Sequence, residues 1–279
     1  MKKAMHLKDT IKNIAKRNHT SAQLILQNYM LERLLERISL SRFQSNFILK
    51  GGFLIAAIVG LDTRSTMDMD ATVKGLPVNA DSISNMLKEV CAVEVNDDVT
   101  FTFRRLEEIR EGAEYNGFRV ALEAAYPPMV VPLKIDITAG DKITPGEITY
   151  EYHLLLEPRS IRVLAYNLET LIAEKLETVI SRGDQNTRPR DYYDIYIIHL
   201  LQWQNVDTAT LKNALTATCD SRGSSGVMMR YREIIDTVQA SDGMYRFWRN
   251  YQSQFEFANT IDFSEVCRVI REVLDTVSA

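Results

Sequence analysis

Hydrophobic positions along the chain change period twice. Leu7, Ile11, Ile14 and Ala15 recur at helical spacing, and Leu24, Leu31, Leu34, Leu35 and Ile38 do so again after a polar break, which predicts two helices within residues 1–40. Thr20-Ser21-Ala22-Gln23 has the form of a capping box, in which a hydroxyl and the Gln side chain satisfy exposed backbone donors. From 47 to 150 the pattern shortens to β-branched runs at Thr66–Val73, Val99–Phe103, Phe118–Ala124, Val130–Thr138 and Glu147–Tyr152, separated by Gly, Pro and Asn/Asp clusters. One helix, Asp81–Val90, intervenes, and the whole predicts an α/β region on a mixed sheet. From Asn167 the period is helical to the end. Asn167 is the predicted cap of the first helix, with Glu169 in its favourable first turn. Gly183 to Pro189 is a polar break, a helix follows from Arg190 to Trp203, and Asp207 caps the next. Amphipathic stretches near 225–239, 243–257 and 262–277 complete a bundle. The expected class is α+β: helices plus a mixed-sheet module over 1–160, and an all-α domain over 161–279.

Composition changes this picture little. A net charge of −4 argues against a wholly basic nucleic-acid wrapper, but local clusters of Lys and Arg remain compatible with phosphate binding. Cys91, Cys219 and Cys267 lie far apart without CxxC spacing, so neither a disulfide nor a zinc site is predicted. MKKAMHLKDTIKN has no following apolar run, and no stretch approaches the ~20 apolar residues that span a bilayer. The expectation is a soluble, cytoplasmic protein with no membrane partner.

Candidate chemistry concentrates at Arg64-Ser-Thr-Met-Asp-Met-Asp. Asp68 and Asp70 are two residues apart in a predicted strand, which puts both carboxylates on one side, roughly 6–7 Å apart along the chain. Two carboxylates on one face repel unless a cation lies between them, and magnesium is the natural hard ion for such donors. The plainer alternative is a solvated strand face. Lys50-Gly51-Gly52, after an apolar segment and before the helix-like run Phe53–Val59, adds a glycine turn that lets backbone approach a phosphate at a helix N-terminus. In Val131-Pro-Leu-Lys-Ile-Asp-Ile-Thr, Ile135 and Ile137 are predicted to face the core, while Lys134, Asp136 and Thr138 share the other side. Asp136 is then either a third carboxylate for one or two magnesium ions, with a possible role as base, or half of an ion pair with Lys134.

These segments resemble the AbiEii/AbiGii toxin family of nucleotidyltransferase-like proteins, related to the MenT-like toxins and to the DNA polymerase β-type superfamily. Leu49-Lys50-Gly51-Gly52 followed by Arg64-x-Thr66-x-Asp68-x-Asp70 resembles the first motif, and Leu133-Lys134-Ile135-Asp136-Ile137 the second. Ala173-Glu174-Lys175-Leu176 with Ser181-Arg182-Gly183, then Pro189-Arg190-Asp191-Tyr192-Tyr193-Asp194-Ile195-Tyr196, resemble the last two. Many nucleotidyltransferases have Gly-Ser where this chain has Gly51-Gly52, so that hydroxyl contact to phosphate is missing.

The resemblance implies a nucleotidyltransferase fold, with Asp68, Asp70 and Asp136 holding Mg2+. It implies nucleotide contacts from Lys50, Gly51, Gly52, Arg64 and Thr66. Lys175 would reach the triphosphate from the helical half, Asp191 would join it in catalysis, Arg182 and Asp194 would contact the nucleotide, and Arg190 would brace the site. Without the resemblance these helix charges read as surface ion pairs. The activity it implies is transfer of NMP from a nucleoside triphosphate to an acceptor, in some relatives the tRNA 3′ end. The system would be a toxin–antitoxin or phage-defence (abortive-infection) pair with a separately encoded antitoxin. Two other readings stand beside it: a nucleotide-binding module without turnover, and a transferase acting on a protein or small-molecule hydroxyl.

Other residues add less. His6, His19, His153 and His199 form no metal-binding spacing, and Ser221 with Ser224-Ser225-Gly226 reads as a loop. Tyr245, Phe247, Trp248, Tyr251, Phe255 and Phe257 are predicted core, with Arg246 and Arg249 interleaved as candidate RNA contacts. Arg104, Arg105, Arg110, Arg230 and Arg232 are further candidates for a nucleic-acid backbone.

Overall fold

Residues 2–110 and 116–278 are described in a computed structural model, and they divide into two units. The first comprises Met1–Asp141 and Ile148–Ala165, the second Lys142–Glu147 and Tyr166–Ala279.

In the first unit, α1 (Lys2–Arg17) and α2 (Ala22–Leu40) are the two expected helices. Ser21 is the cap of α2, accepting from the Leu24 amide, so the capping box expected from Thr20 and Gln23 is displaced by one residue. β1 (Phe47–Lys50), β2 (Met69–Val73), β3 (Thr100–Arg110), β4 (Asn116–Tyr126), β5 (Met129–Ala139), β6 (Ile148–His153) and β7 (Ser160–Ala165) form one sheet in the order β3-β4-β5-β2-β1-β7-β6. β2 runs parallel to β5 and β1 parallel to β7, whereas the other pairs are antiparallel, so the sheet is mixed as expected. β7 was not predicted, although its alternation is plain: Ile161, Val163 and Ala165 are buried and Ser160 and Arg162 exposed.

α3 (Gly51–Val59) follows β1 without a loop, and α4 (Ala80–Cys91) begins at Asn79, whose side chain accepts from Ser82 N. α2 is buried along most of its length because it packs against α1, α4, β5 and β7. That packing takes charges with it. Arg33 lies between Glu32, Glu36 and Glu157, and Arg37 makes two bonds to Asp97 at 2.7 and 2.8 Å. Burial raises the Glu32 carboxyl to about 7 against the opposing pull of Arg33.

The second unit is helical: α5 (Leu168–Arg182), α6 (Pro189–Gln202), α7 (Thr208–Arg222), α8 (Ser225–Met228), α9 (Tyr231–Ala240), α10 (Asp242–Gln254) and α11 (Phe263–Ser278). Asn167 and Asp207 cap α5 and α7 as their sequence positions required, accepting from Thr170 N and Thr210 N. The stretch expected to be one helix near 225–239 is split into α8 and α9 around Met229 and Arg230. Of the aromatic run expected as core, Trp248 and Tyr251 are buried against Phe263 and Tyr193, Tyr245, Phe255 and Phe257 are half-buried, and Phe247 is exposed. Among the described residues no helix is long and apolar enough to cross a membrane, and the three cysteines are free thiols.

Candidate active site

The register of the sheet lines up charges that lie far apart in sequence. Lys50 on β1 opposes Asp70 on β2, Asp70 neighbours Asp136 on β5, Asp136 opposes Arg119 on β4, and Arg119 opposes Glu107 on β3. Registered residues project to the same side, with strands ~4.8 Å apart, so this is one charged row across five strands. Its opposite face is apolar: Met69, Ala71, Ile135 and Ile137 are fully buried. Asp70 and Asp136 are like charges side by side, and cations flank them. Arg119 donates to both Asp136 oxygens, at 2.9 and 2.7 Å. Lys50 Nζ lies 2.5 Å from Asp141, which also accepts from Thr138 Oγ1 at 2.6 Å.

Gly51 and Gly52 open α3 beside Asp70. Gly51 has φ +66°, and a Cβ on it would meet Asp70 Oδ2 at 2.3 Å, so only glycine fits. The Gly52 amide points at the same oxygen, 3.4 Å away. A Cβ on Gly52 would meet Arg64 Nη2 at 2.9 Å. Arg64 is itself buried and donates to its neighbour Ser65 O, so its guanidinium supports the glycine turn from inside. Thr66 Oγ1 bonds the Asp68 carbonyl at 3.3 Å.

Asp68 differs from expectation. It sits in a bend before β2, because the first ladder partner on this strand is Met69, and strand alternation therefore does not set its side chain. Lys134 is its partner at 2.6 Å, whereas the expected alternative was a pair between Lys134 and Asp136. The expected burial alternation along β5 holds, with Ile135 and Ile137 in the core and Lys134, Asp136 and Thr138 half-buried.

The donor set was tested for a divalent cation. Among the described residues no three carboxylate, imidazole or thiolate groups converge as a metal cage. Arg119 holds Asp136, and Lys134 holds Asp68. Magnesium commonly takes one or two carboxylates and completes its shell with water and substrate phosphate. Asp70 is a donor of that kind, and Asp68 and Asp136, each paired with a cation in this structure, keep carboxylate lone pairs that such an ion could use.

In the second unit, Lys175 on α5 is clamped by α6. Its Nζ lies 2.6 Å from Asp191 and 3.0 Å from Asp194. The two carboxylates are one turn apart, so a single ammonium meets both. Asp191 and Asp194 are buried, so these are not the helix-surface pairs that charge spacing alone suggested. The second oxygen of Asp191 is buried without a hydrogen-bond partner. Arg182 and Arg190 are exposed.

The remaining basic candidates are matched by carboxylates. Arg104 pairs with Glu123, Arg105 with Glu107, Arg230 with Glu233 and Arg232 with Asp275, while the Arg110 side chain lies outside the described residues. Arg246 and Arg249 are exposed. Sequence reasoning missed Asp141 and Arg119, whose relevance arises only through register. Alternation along β4 could have put Arg119 on the polar face, but not opposite Asp136.

The family model for the nucleotidyl transferase AbiEii toxin of a type IV toxin–antitoxin system matches residues 33–268. A putative nucleotidyltransferase from Helicobacter pylori is similar in structure, with a TM-score of 0.54 and 12% identity, covering 92% of this chain and 95% of that one. MenT4, a nucleotidyltransferase toxin from Mycobacterium tuberculosis, is similar with a TM-score of 0.53 and 14% identity over 96% of this chain and 98% of its own. At these identities the structural likeness establishes the fold. No curated protein matches the chain.

Proposed function

The chain belongs to the AbiEii nucleotidyltransferase toxin family, and from that premise we propose that it transfers a nucleotidyl group from a nucleoside triphosphate to the 3′ end of tRNA. The observation that carries the reading is the charged row, with Asp70 set against the Gly51-Gly52 turn at the start of α3. Backbone amides and the positive end of a helix favour the triphosphate there. In the reaction an acceptor hydroxyl oxygen bonds to the α-phosphorus, the bond to pyrophosphate breaks, and the hydroxyl proton leaves.

Asp68, Asp70 and Asp136 are the residues proposed to hold Mg2+, with Lys134 and Arg119 as the present partners of Asp68 and Asp136. The bound ion would neutralise triphosphate charge and stabilise the departing pyrophosphate. Gly51 and Gly52 allow close backbone approach, Lys50 and Thr66 border the same turn, and buried Arg64 supports it without being exposed to ligand. In the second unit Lys175 and Asp191 are the residues proposed to act on the nucleotide, with exposed Arg182 as a further contact and fully buried Asp194 holding Lys175. A cognate antitoxin is the implied protein partner.

The test supplies each labelled nucleoside triphosphate with magnesium, total RNA and total protein, using wild type and Asp70→Ala. Label at the tRNA 3′ end, lost in the variant, is expected. Label in protein instead would overturn the acceptor alone. Nucleotide binding without label in any macromolecule would reduce the chain to a binding module on these substrates.

A further inference from the structure

Asp68 precedes the ladder, so something other than strand pairing must fix it. Residues 64–68 lie outside helix and strand, before the first registered pair of β2. Two consecutive amides on α2 fill that role. Gln27 Nε2 donates to Met67 O at 3.0 Å and to Pro132 O at 2.9 Å. Asn28 Nδ2 donates to Thr66 O at 2.8 Å, and to Leu24 O of its own helix at 2.9 Å. Both residues are buried, at 5% and 3% exposure, so these bonds are not exchanged with water.

The geometry of Gln27 is specific. One amide nitrogen spends its two hydrogens on two segments, one immediately before Asp68 and the other two residues before Lys134 on β5. It therefore fixes the start of β2 relative to β5, the two strands that carry Asp70 and Asp136. Asn28 holds the adjacent carbonyl, and Thr66 in turn bonds the Asp68 carbonyl. Gln27 thus ties α2 to Met67 directly, and Asn28 and Thr66 tie it in two steps to the backbone of Asp68.

We propose that Gln27 and Asn28 are positioning residues for the metal-binding carboxylates, resting on the function proposed above. They touch no substrate. Their role is to hold Asp68 where it can share a cation with Asp70. Partners outside the ligand shell typically contribute 10–100-fold in metal affinity.

The test measures Mn2+ binding by the magnetic resonance signal of the free ion, for the protein alone and with a non-hydrolysable nucleoside triphosphate analogue, subtracting the Mn2+ that the analogue takes up without protein. Wild type, Asp70→Ala, Gln27→Met and Asn28→Ser are compared, with folding checked by circular dichroism. Gln27→Met keeps the volume and loses both bonds; about a tenfold weaker Mn2+ affinity is expected, and a smaller loss in the same direction for Asn28→Ser. Transfer by these variants should lose kcat at low magnesium, recover at high magnesium, and keep KM for the nucleotide. A folded Gln27→Met with wild-type Mn2+ affinity would overturn the assignment and leave both amides as packing. Where Gln27→Met does not fold, Asn28→Ser decides on the same criterion. If wild type itself binds no Mn2+, the metal-dependent function and this inference fall together; if wild type binds and Asp70→Ala does not, failure of the α2 variants sinks the inference alone.

Discussion

The two charged sites are built in opposite ways. The pairs along the sheet are partly exposed: Arg119 and Asp136 have side chains 41% and 20% accessible, neighbouring Lys134 and Asp68 38% and 35%, and Lys50 and Asp141 13% and 19%. The Lys175 clamp is buried, with Asp194 inaccessible and Asp191 at 5%. Water screens the first, so its pairs contribute little to folding and can be exchanged for ligand contacts at small cost. In the second, removing one partner strands charge in the interior. Ion pairs of similar length thus have different consequences, and depth decides which.

The largest expected effect tests that division on the sheet. Asp70→Ala should cut label incorporation by ~1000-fold or more, equivalent to about 4 kcal/mol of barrier, while chemical denaturation shifts by less than about 1 kcal/mol. A variant that lost stability in proportion to activity would break the comparison. Lys175→Met should destabilise the protein by roughly 3–4 kcal/mol in urea denaturation, because two buried carboxylates then lose the ammonium that lies between them. Equal stability with wild type would mean that these carboxylates take up protons or water at no cost.

The buried charges on α2 sharpen the point within the first unit. Burial lifts the folded Glu32 carboxyl from 4.5 to about 7, so the folded state binds more protons than the unfolded state between those values. Stability therefore falls as pH rises from about 4.5 to 7, by roughly 3 kcal/mol for this one group. Glu32→Gln should flatten that part of a stability–pH curve measured by denaturation, and an unchanged slope would remove Glu32 as its source. The smallest effect is expected at Arg104, whose pair with Glu123 is exposed: Arg104→Ala should cost under about 1 kcal/mol. A larger loss would show that exposure is a poor guide to the worth of these pairs.

The sequence by itself determined what depends on near neighbours. Asn167 and Asp207 cap their helices because the amide each satisfies is three residues away. Alternation along β5 declared which side of the strand is polar, and Gly51 announced a turn that no side chain could make. β7 was legible in the same way and was passed over. The charged row was not legible, since which residue stands beside Asp70 depends on the register of strands more than 60 residues apart in the chain. Nor could local pattern show that Asp68 stops short of the ladder and that two amides on α2 hold the segment before it, or that Lys175 bridges two buried carboxylates. Local rules set the direction of a side chain; only long-range pairing and packing set its neighbours, and with them its charge balance.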